Sequence, residues 1–179
     1  MSQCRNRIWL RQTSNNGSLY FSSRQIRKKK HFSRILDLGC GSGILSIAAA
    51  KLWKTRVFAA DIDPEAIRVT SYNVKLNGVS HLVSSIPSST NPLSSTRDHG
   101  PYDLIVANIL TVPLITMSQT LLTQLLPQGI IVVSGFLTKD GNRLLNAFCS
   151  RHTKVLYKKT RDGWMVIALK NSRNLQNYT

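Results

Sequence analysis

The sequence predicts a doubly wound α/β fold: a mostly parallel, seven-stranded sheet with helices on both faces and a C-terminal antiparallel hairpin. Three observations carry that expectation. Strand-like apolar runs alternate with helical segments from residue 34 onward. A cluster of alternate glycines, Gly39, Gly41 and Gly43, follows the first run and opens the first helix. The last two apolar runs flank Arg161-Asp162-Gly163, a hairpin turn signal.

Arg34 to Leu38 reads as a short buried strand that ends at the glycines. Ile44 to Trp53 is a helix, apolar at Ile44, Leu45, Ile47, Ala48 and Leu52. Val57 to Ala60 is a second strand. Asp63-Pro64-Glu65 opens a second helix, with Asp63 at the cap and Pro64 in the first turn; Asn77-Gly78 closes it. Leu82 to Ile86 is a third strand, and residues 87–101 are a polar loop. Leu104 to Ala107 is a fourth strand. Thr111 to Leu126 is a helix stopped by Pro127-Gln128-Gly129, and Ile130 to Val133 a fifth strand. Lys139 to Arg151 reads as a helix. Lys154 to Lys159 and Trp164 to Leu169 form the hairpin, which a plain nucleotide-binding domain of this class does not usually carry.

Twenty-four Lys and Arg face eight Asp and Glu, a formal net charge of +16, which favours phosphate-rich partners such as RNA or ribosomes. Residues 1–33 hold eight of those cations and no acid, with much Ser, Asn and Gln. They read as a flexible basic segment, serving as a nucleic-acid arm, an organellar targeting sequence or the remnant of an upstream domain. Residues 34–170 form the folded domain and 171–179 a polar tail. No apolar run reaches the roughly 18–20 residues that span a bilayer, so no membrane partner is expected. Cys4, Cys40 and Cys149 are scattered, which indicates a reducing, cytoplasmic setting rather than a disulfide framework. Histidines 31, 81, 99 and 152 form no cluster, which argues against a metal site or a catalytic triad. Ser134-Gly135 reads as a strand end, not a nucleophile elbow.

Three constellations carry chemistry. The first is Asp37-Leu38-Gly39-Cys40-Gly41-Ser42-Gly43. Glycine lets the chain turn sharply and lets a ligand approach the backbone, while the helix N-terminus offers N–H groups to a carboxylate. Asp37, just before the turn, is placed to hold an ammonium. An amino-acid end suits this pair, and the G-x-G-x-G spacing tilts against NAD. The second is Asp61, 22 residues beyond Gly39 and directly after the second strand, where an acid accepts hydrogen bonds from ribose hydroxyls. Asp63 is explained by its capping position. The third is Tyr102 to Leu110, with Asn108 at the carboxyl end of the fourth strand. Its amide oxygen can accept a hydrogen bond from a target amine and orient the nitrogen lone pair.

Asp37–Gly43, Ala60-Asp61-Ile62-Asp63-Pro64, Asn77-Gly78 and Tyr102–Leu110 together resemble the class I S-adenosylmethionine-dependent methyltransferases, whose sheet is Rossmann-like. Ile35 to Leu52 and Val106-Ala107-Asn108-Ile109-Leu110 resemble, more closely, the family that methylates ribosomal protein L11. The resemblance covers residues 34 to about 170. It implies S-adenosyl-L-methionine as cofactor and N-methylation of amino groups on a ribosomal protein. By matching position it implies a cofactor set of Asp37, Gly39, Gly41, Gly43, Asp61, Ile62 and Asn108, with Asn108 also catalytic. Two other readings of the same residues stay open. One is a shortened, silent relative that binds RNA or ribosomes through its basic arm. The other is a methyltransferase acting on RNA or a small amine. The family also places a recognition domain ahead of the catalytic one, and a Gly-Thr-Gly-His-His loop before the first strand that Ser14–His31 lacks. The usual acid at the end of the third strand is absent from Leu82–Thr90.

Overall fold

The structure, a computed structural model, describes residues 31–87, 92–150 and 152–173. Most of the expected basic segment (1–30), part of the polar loop (88–91) and part of the tail (174–179) lie outside the described residues.

Seven strands form one sheet: β1 (Arg34–Leu38), β2 (Arg56–Asp61), β3 (Val83–Pro87), β4 (Tyr102–Asn108), β5 (Leu125–Leu137), β6 (Thr153–Arg161) and β7 (Trp164–Asn171). Their spatial order is β3-β2-β1-β4-β5-β7-β6. Pairs from β3 to β5 are parallel, and β7 joins β5 and β6 antiparallel. This is the expected architecture, hairpin included. The chain reverses its direction of travel between β1 and β4, so the crevice beyond their carboxyl ends is the switch point where such sheets bind ligands.

Two apolar layers sandwich the sheet. On one face α1 (Ile44–Trp53) and α2 (Pro64–Leu76) cover Ile35, Val57, Ala59, Leu104, Val106 and Val132. On the other, α3 (Pro92–Arg97), α4 (Thr111–Thr123) and α5 (Gly141–Ala147) cover Leu36, Leu38, Ile105, Ala107, Ile131 and Val133. The strands are apolar on both sides because both faces are buried. Phe32 is fully buried, edge-on to Trp53 at 5.1 Å, and the Ser33 and Arg34 amides donate to Asp103. Those contacts account for Asp103, and they extend the packed unit to two residues that the sequence groups with the basic segment.

Local chemistry explains the accurate boundaries. The Asp63 carboxylate accepts from the Glu65 amide at 2.9 Å, Pro64 occupies the first turn, and Gly78 takes φ +69° past the Asn77 cap. In the hairpin, Asp162 and Gly163 both have positive φ, 50° and 78°, as a two-residue type I′ turn requires. The edge strand β6 carries Lys154, Lys158 and Lys159, charges that keep an exposed edge from pairing with another chain.

Three expectations are corrected. The polar loop contains α3, where only Leu93 supplies an apolar anchor, and buried Thr96 accepts the Tyr102 hydroxyl at its carbonyl. A six-residue helix with one apolar residue leaves no period to read. The helix expected to reach Leu126 stops at Thr123, and Leu125 already pairs with Tyr102 in β5. Pro127-Gln128-Gly129 is an irregularity inside the strand, with Gln128 at φ +63°; Asn171 Nδ2 satisfies the carbonyls of Leu125 and Leu126. The segment expected as one helix from Lys139 to Arg151 is a 3-10 turn, Thr138–Asp140, followed by the short α5.

Candidate active site

The site is built where β1, β2, β4 and β5 end. Asp37 lies on the α1 face of β1, 1% exposed. Ser46, one turn into α1, donates its hydroxyl to Asp37 Oδ2 at 2.6 Å. Oδ1 has no hydrogen-bond partner among the described residues. Burial raises the Asp37 carboxyl to about 6, against the Ser46 hydrogen bonds that lower it, with a further rise from nearby Asp61. A buried carboxylate with one oxygen unspent is a receptor for a cation.

The glycine loop wraps the N-terminus of α1. Gly39, Gly41 and Gly43 take φ of +75°, +54° and +76°, so the loop runs through conformations that side-chain-bearing residues avoid. Gly39 and Cys40 amides donate to Ala60 O at 2.8 and 3.1 Å, which ties the loop to the end of β2. A Cβ at Gly39 would overlap the Ile109 Cγ2 methyl, and one at Gly43 would stand 2.9 Å from the Thr70 side chain. At Gly41 the same construction meets nothing within 4 Å, so open space faces the middle of the loop.

Asp61 closes the second side. Its Oδ2 accepts from the Gly41 amide at 2.9 Å and its Oδ1 from the Asp63 amide at 3.1 Å. Two amides leave a carboxylate with capacity to accept more. Asp61 and the loop are therefore one unit, held across the ends of neighbouring strands. Ile62, the next residue, is 59% exposed at the rim.

Asn108 ends β4 on the same sheet face as Asp37. It is half-buried, and its Oδ1 accepts from the Ser134 hydroxyl at 2.9 Å. The adjoining Ile109 is the residue that packs on Gly39. The structure thus brings Asp37, the three glycines, Asp61 and Asn108 around one crevice, with Ile62 at its edge.

Sequence reasoning passed over the residues that hold this frame. Thr70 Oγ1 donates to Gly41 O at 2.9 Å, Asn73 Nδ2 donates to Ser42 O at 2.9 Å, and Thr70 also contacts the Cys40 thiol at 3.3 Å. Thr70 and Asn73 sit three residues apart on α2, so both face the loop. Their visible signal is polar residues on the same stripe as buried Val74. Burial beside Thr70 pushes the Cys40 thiol up to about 12, which keeps it a neutral packing group. Among the described residues no group of three or more His, Cys, Asp or Glu could hold a metal, and no helix is long and apolar enough to cross a membrane.

The comparisons with known proteins agree with this geometry. A crystal structure of ribosomal protein L11 methylase from Lactobacillus delbrueckii subsp. bulgaricus superposes with a TM-score of 0.74 at 29% identity, covering 83% of this chain and 74% of that one. An RNA methyltransferase from Salinibacter ruber, solved with S-adenosyl-L-homocysteine, shares the fold with a TM-score of 0.63 at 18% identity, covering 86% of this chain and 91% of that one. The ribosomal protein L11 methyltransferase of Agrobacterium fabrum is 41% identical over 138 residues, 75% of this chain and 46% of its own length. That of Rhizobium etli strain CIAT 652 is 39% identical over 157 residues, 84% of this chain and 51% of its own. The chain spans about half the length of the curated relatives it matches. The cofactor of this family and fold class is S-adenosyl-L-methionine. The family model for ribosomal protein L11 methyltransferase (PrmA) matches residues 14–172, nearly the whole chain, and the chain belongs to that family.

Proposed function

We propose that this chain is the catalytic unit of an S-adenosylmethionine-dependent N-methyltransferase acting in the cytoplasm on amino groups of a ribosomal protein. The observation that carries the reading is the buried Asp37 carboxylate, one oxygen unpartnered, beside a glycine loop open at Gly41 and closed by Asp61. The residues present fit the cofactor. Asp37 would take its ammonium, the N-terminal amides of α1 its carboxylate, and Asp61 its ribose hydroxyls, with Ile62 against the adjoining apolar surface. When bound, the cofactor supplies an electrophilic methyl on a sulfonium.

The protein's own task is then placement and drying. Asn108 Oδ1 accepts an N–H of the acceptor amine, which fixes the nitrogen lone pair in direction. No acid or base at the reacting atoms is required once the amine is neutral. The exposed Leu110 and Val112, which follow Asn108, offer apolar surface to the acceptor's aliphatic stem. The test is transfer of labelled methyl from S-adenosylmethionine in ribosomal extract. A labelled band at the size of a small ribosomal protein is expected. Label confined to RNA or to small amines would redirect the acceptor assignment, and no label anywhere would remove the activity.

Two predictions arise here. Asp61→Ala should weaken S-adenosylhomocysteine binding by ~1–3 kcal/mol, the worth of hydrogen bonds to a charged group, measured by calorimetry. Asp37 predicts a pH signature. Its folded carboxyl titrates at about 6 against an ordinary 3.8, so the folded state binds the extra proton between those values. Fold stability contributed by this group therefore falls as pH rises from about 4 to 6. Ammonium binding works in the opposite direction, since it needs the carboxylate and lowers its pKa. Cofactor affinity should rise with pH through about 6 and level off above 7. Titrations at pH 6 in buffers of different ionisation enthalpy should show proton release on binding. Affinity flat between pH 5 and 7.5 would detach Asp37 from the ammonium.

A further inference from the structure

We infer that Ser134 is a positioning residue for methyl transfer, acting through Asn108; the inference rests on the function proposed above. Asn108 and Ser134 are direct register partners at the carboxyl ends of β4 and β5. The Ser134 hydroxyl, 5% exposed, donates to Asn108 Oδ1 at 2.9 Å. The terminal torsion of an asparagine is broad and two-fold, so the backbone alone does not hold the plane of the amide. A buried donor on the neighbouring strand does.

The local backbone is shaped for that contact. The pairing of β5 with β7 shifts register between Val133 and Phe136, so Ser134 and Gly135 sit inside an irregularity of the strand. Such irregularities re-aim side chains, often beside active sites. Gly135 takes φ +89°, and a Cβ there would lie 2.9 Å from Asn108 Oδ1 and 2.7 Å from Ile109 O. The main chain of β5 is therefore flush against Asn108-Ile109, and Ile109 in turn packs on Gly39. A carbonyl oxygen has two lone pairs. Ser134 engages one and sets the direction of the other, which is left for the acceptor's N–H. A strand-end serine thus decides where the amine is held, without touching it.

The experiment is a coupling cycle in the full chain, read by labelled methyl transfer to the acceptor found in ribosomal extract. Ser134→Ala should lower kcat roughly 5- to 50-fold, the scale of a lost positioning contact, with S-adenosylhomocysteine affinity and melting temperature little changed. Ser134→Thr, which keeps the donor, should recover most of the rate. In an Asn108→Ala background, Ser134→Ala should cost nothing further, because the group it orients is gone. Should the alanine variant fold poorly, Ser134→Cys, near-isosteric with a weak donor, serves in its place and should also slow the rate. Full kcat in Ser134→Ala, or an equal loss in the Asn108→Ala background, overturns the inference while leaving the methyl-transfer reading intact. A folded wild-type chain that binds S-adenosylhomocysteine but labels no acceptor overturns both.

Discussion

Asn108→Ala is expected to lower the methyl-transfer rate ~10- to 1000-fold, the range for one lost positioning contact in a displacement. Affinity for S-adenosylhomocysteine should change by less than about tenfold, or 1.4 kcal/mol. The asymmetry follows from where the amide stands. Asp37, the glycine loop and Asp61 are knit to one another through Ser46, Ala60 and the Gly41 amide, none of which involves the Asn108 side chain. The amide meets an amine only when acceptor and cofactor are present together. If Asn108 merely tied β4 to β5 through Ser134, the variant would melt earlier, and its folded fraction would work at full rate. Single-turnover rates measured beside melting curves separate these outcomes. A full-speed variant removes Asn108 from the chemistry, and a variant that loses cofactor binding alone moves it into the cofactor shell.

Gly39→Ala should be the most damaging single methyl in the molecule. The residue sits at φ +75°, a conformation that costs a side-chain-bearing residue about 1–2 kcal/mol. The added carbon would also overlap Ile109 Cγ2, and overpacking in a tight core costs a further ~1–3 kcal/mol. The sum, roughly 2–5 kcal/mol, is a large share of the stability of a domain this size. Relief by moving Ile109 would displace Asn108 beside it, so a variant that still folds should lose transfer. Gly41→Ala provides the contrast, since no atom lies within 4 Å of its added carbon and only the φ of +54° is strained. Urea denaturation of the two variants should rank Gly39→Ala well below Gly41→Ala. Equal midpoints would mean that the Ile109 contact is slack.

Much of this was legible in the sequence because it rests on local rules. Alternation of strands and helices, the Asp63-Pro64 cap and the Asp162-Gly163 turn each follow from a few neighbouring residues, and each stands in the structure as read. The losses came where the decisive partner is distant. Leu125 and Leu126 continue the apolar pattern of α4, and only pairing with Tyr102 and the Asn171 amide makes them strand. Helix α3 is held by Leu93, Thr96 and the Tyr102 hydroxyl, contacts that no period announces. At the site, the glycines, Asp61 and Asn108 were visible as residue types at strand ends. Ser46, Thr70, Asn73 and Ser134 were not. Each looks like an ordinary polar residue until the fold sets it against Asp37, the loop or Asn108.

The central claim is that the crevice at the ends of β1, β2 and β4 is a cofactor site held by Asp37, the glycine loop and Asp61. Isothermal titration of the folded chain with S-adenosylhomocysteine tests it most directly. Saturable heat at one site per chain is expected, weakened in Asp61→Ala and accompanied by proton release near pH 6. No heat at millimolar ligand from a sample shown to be folded would contradict the account.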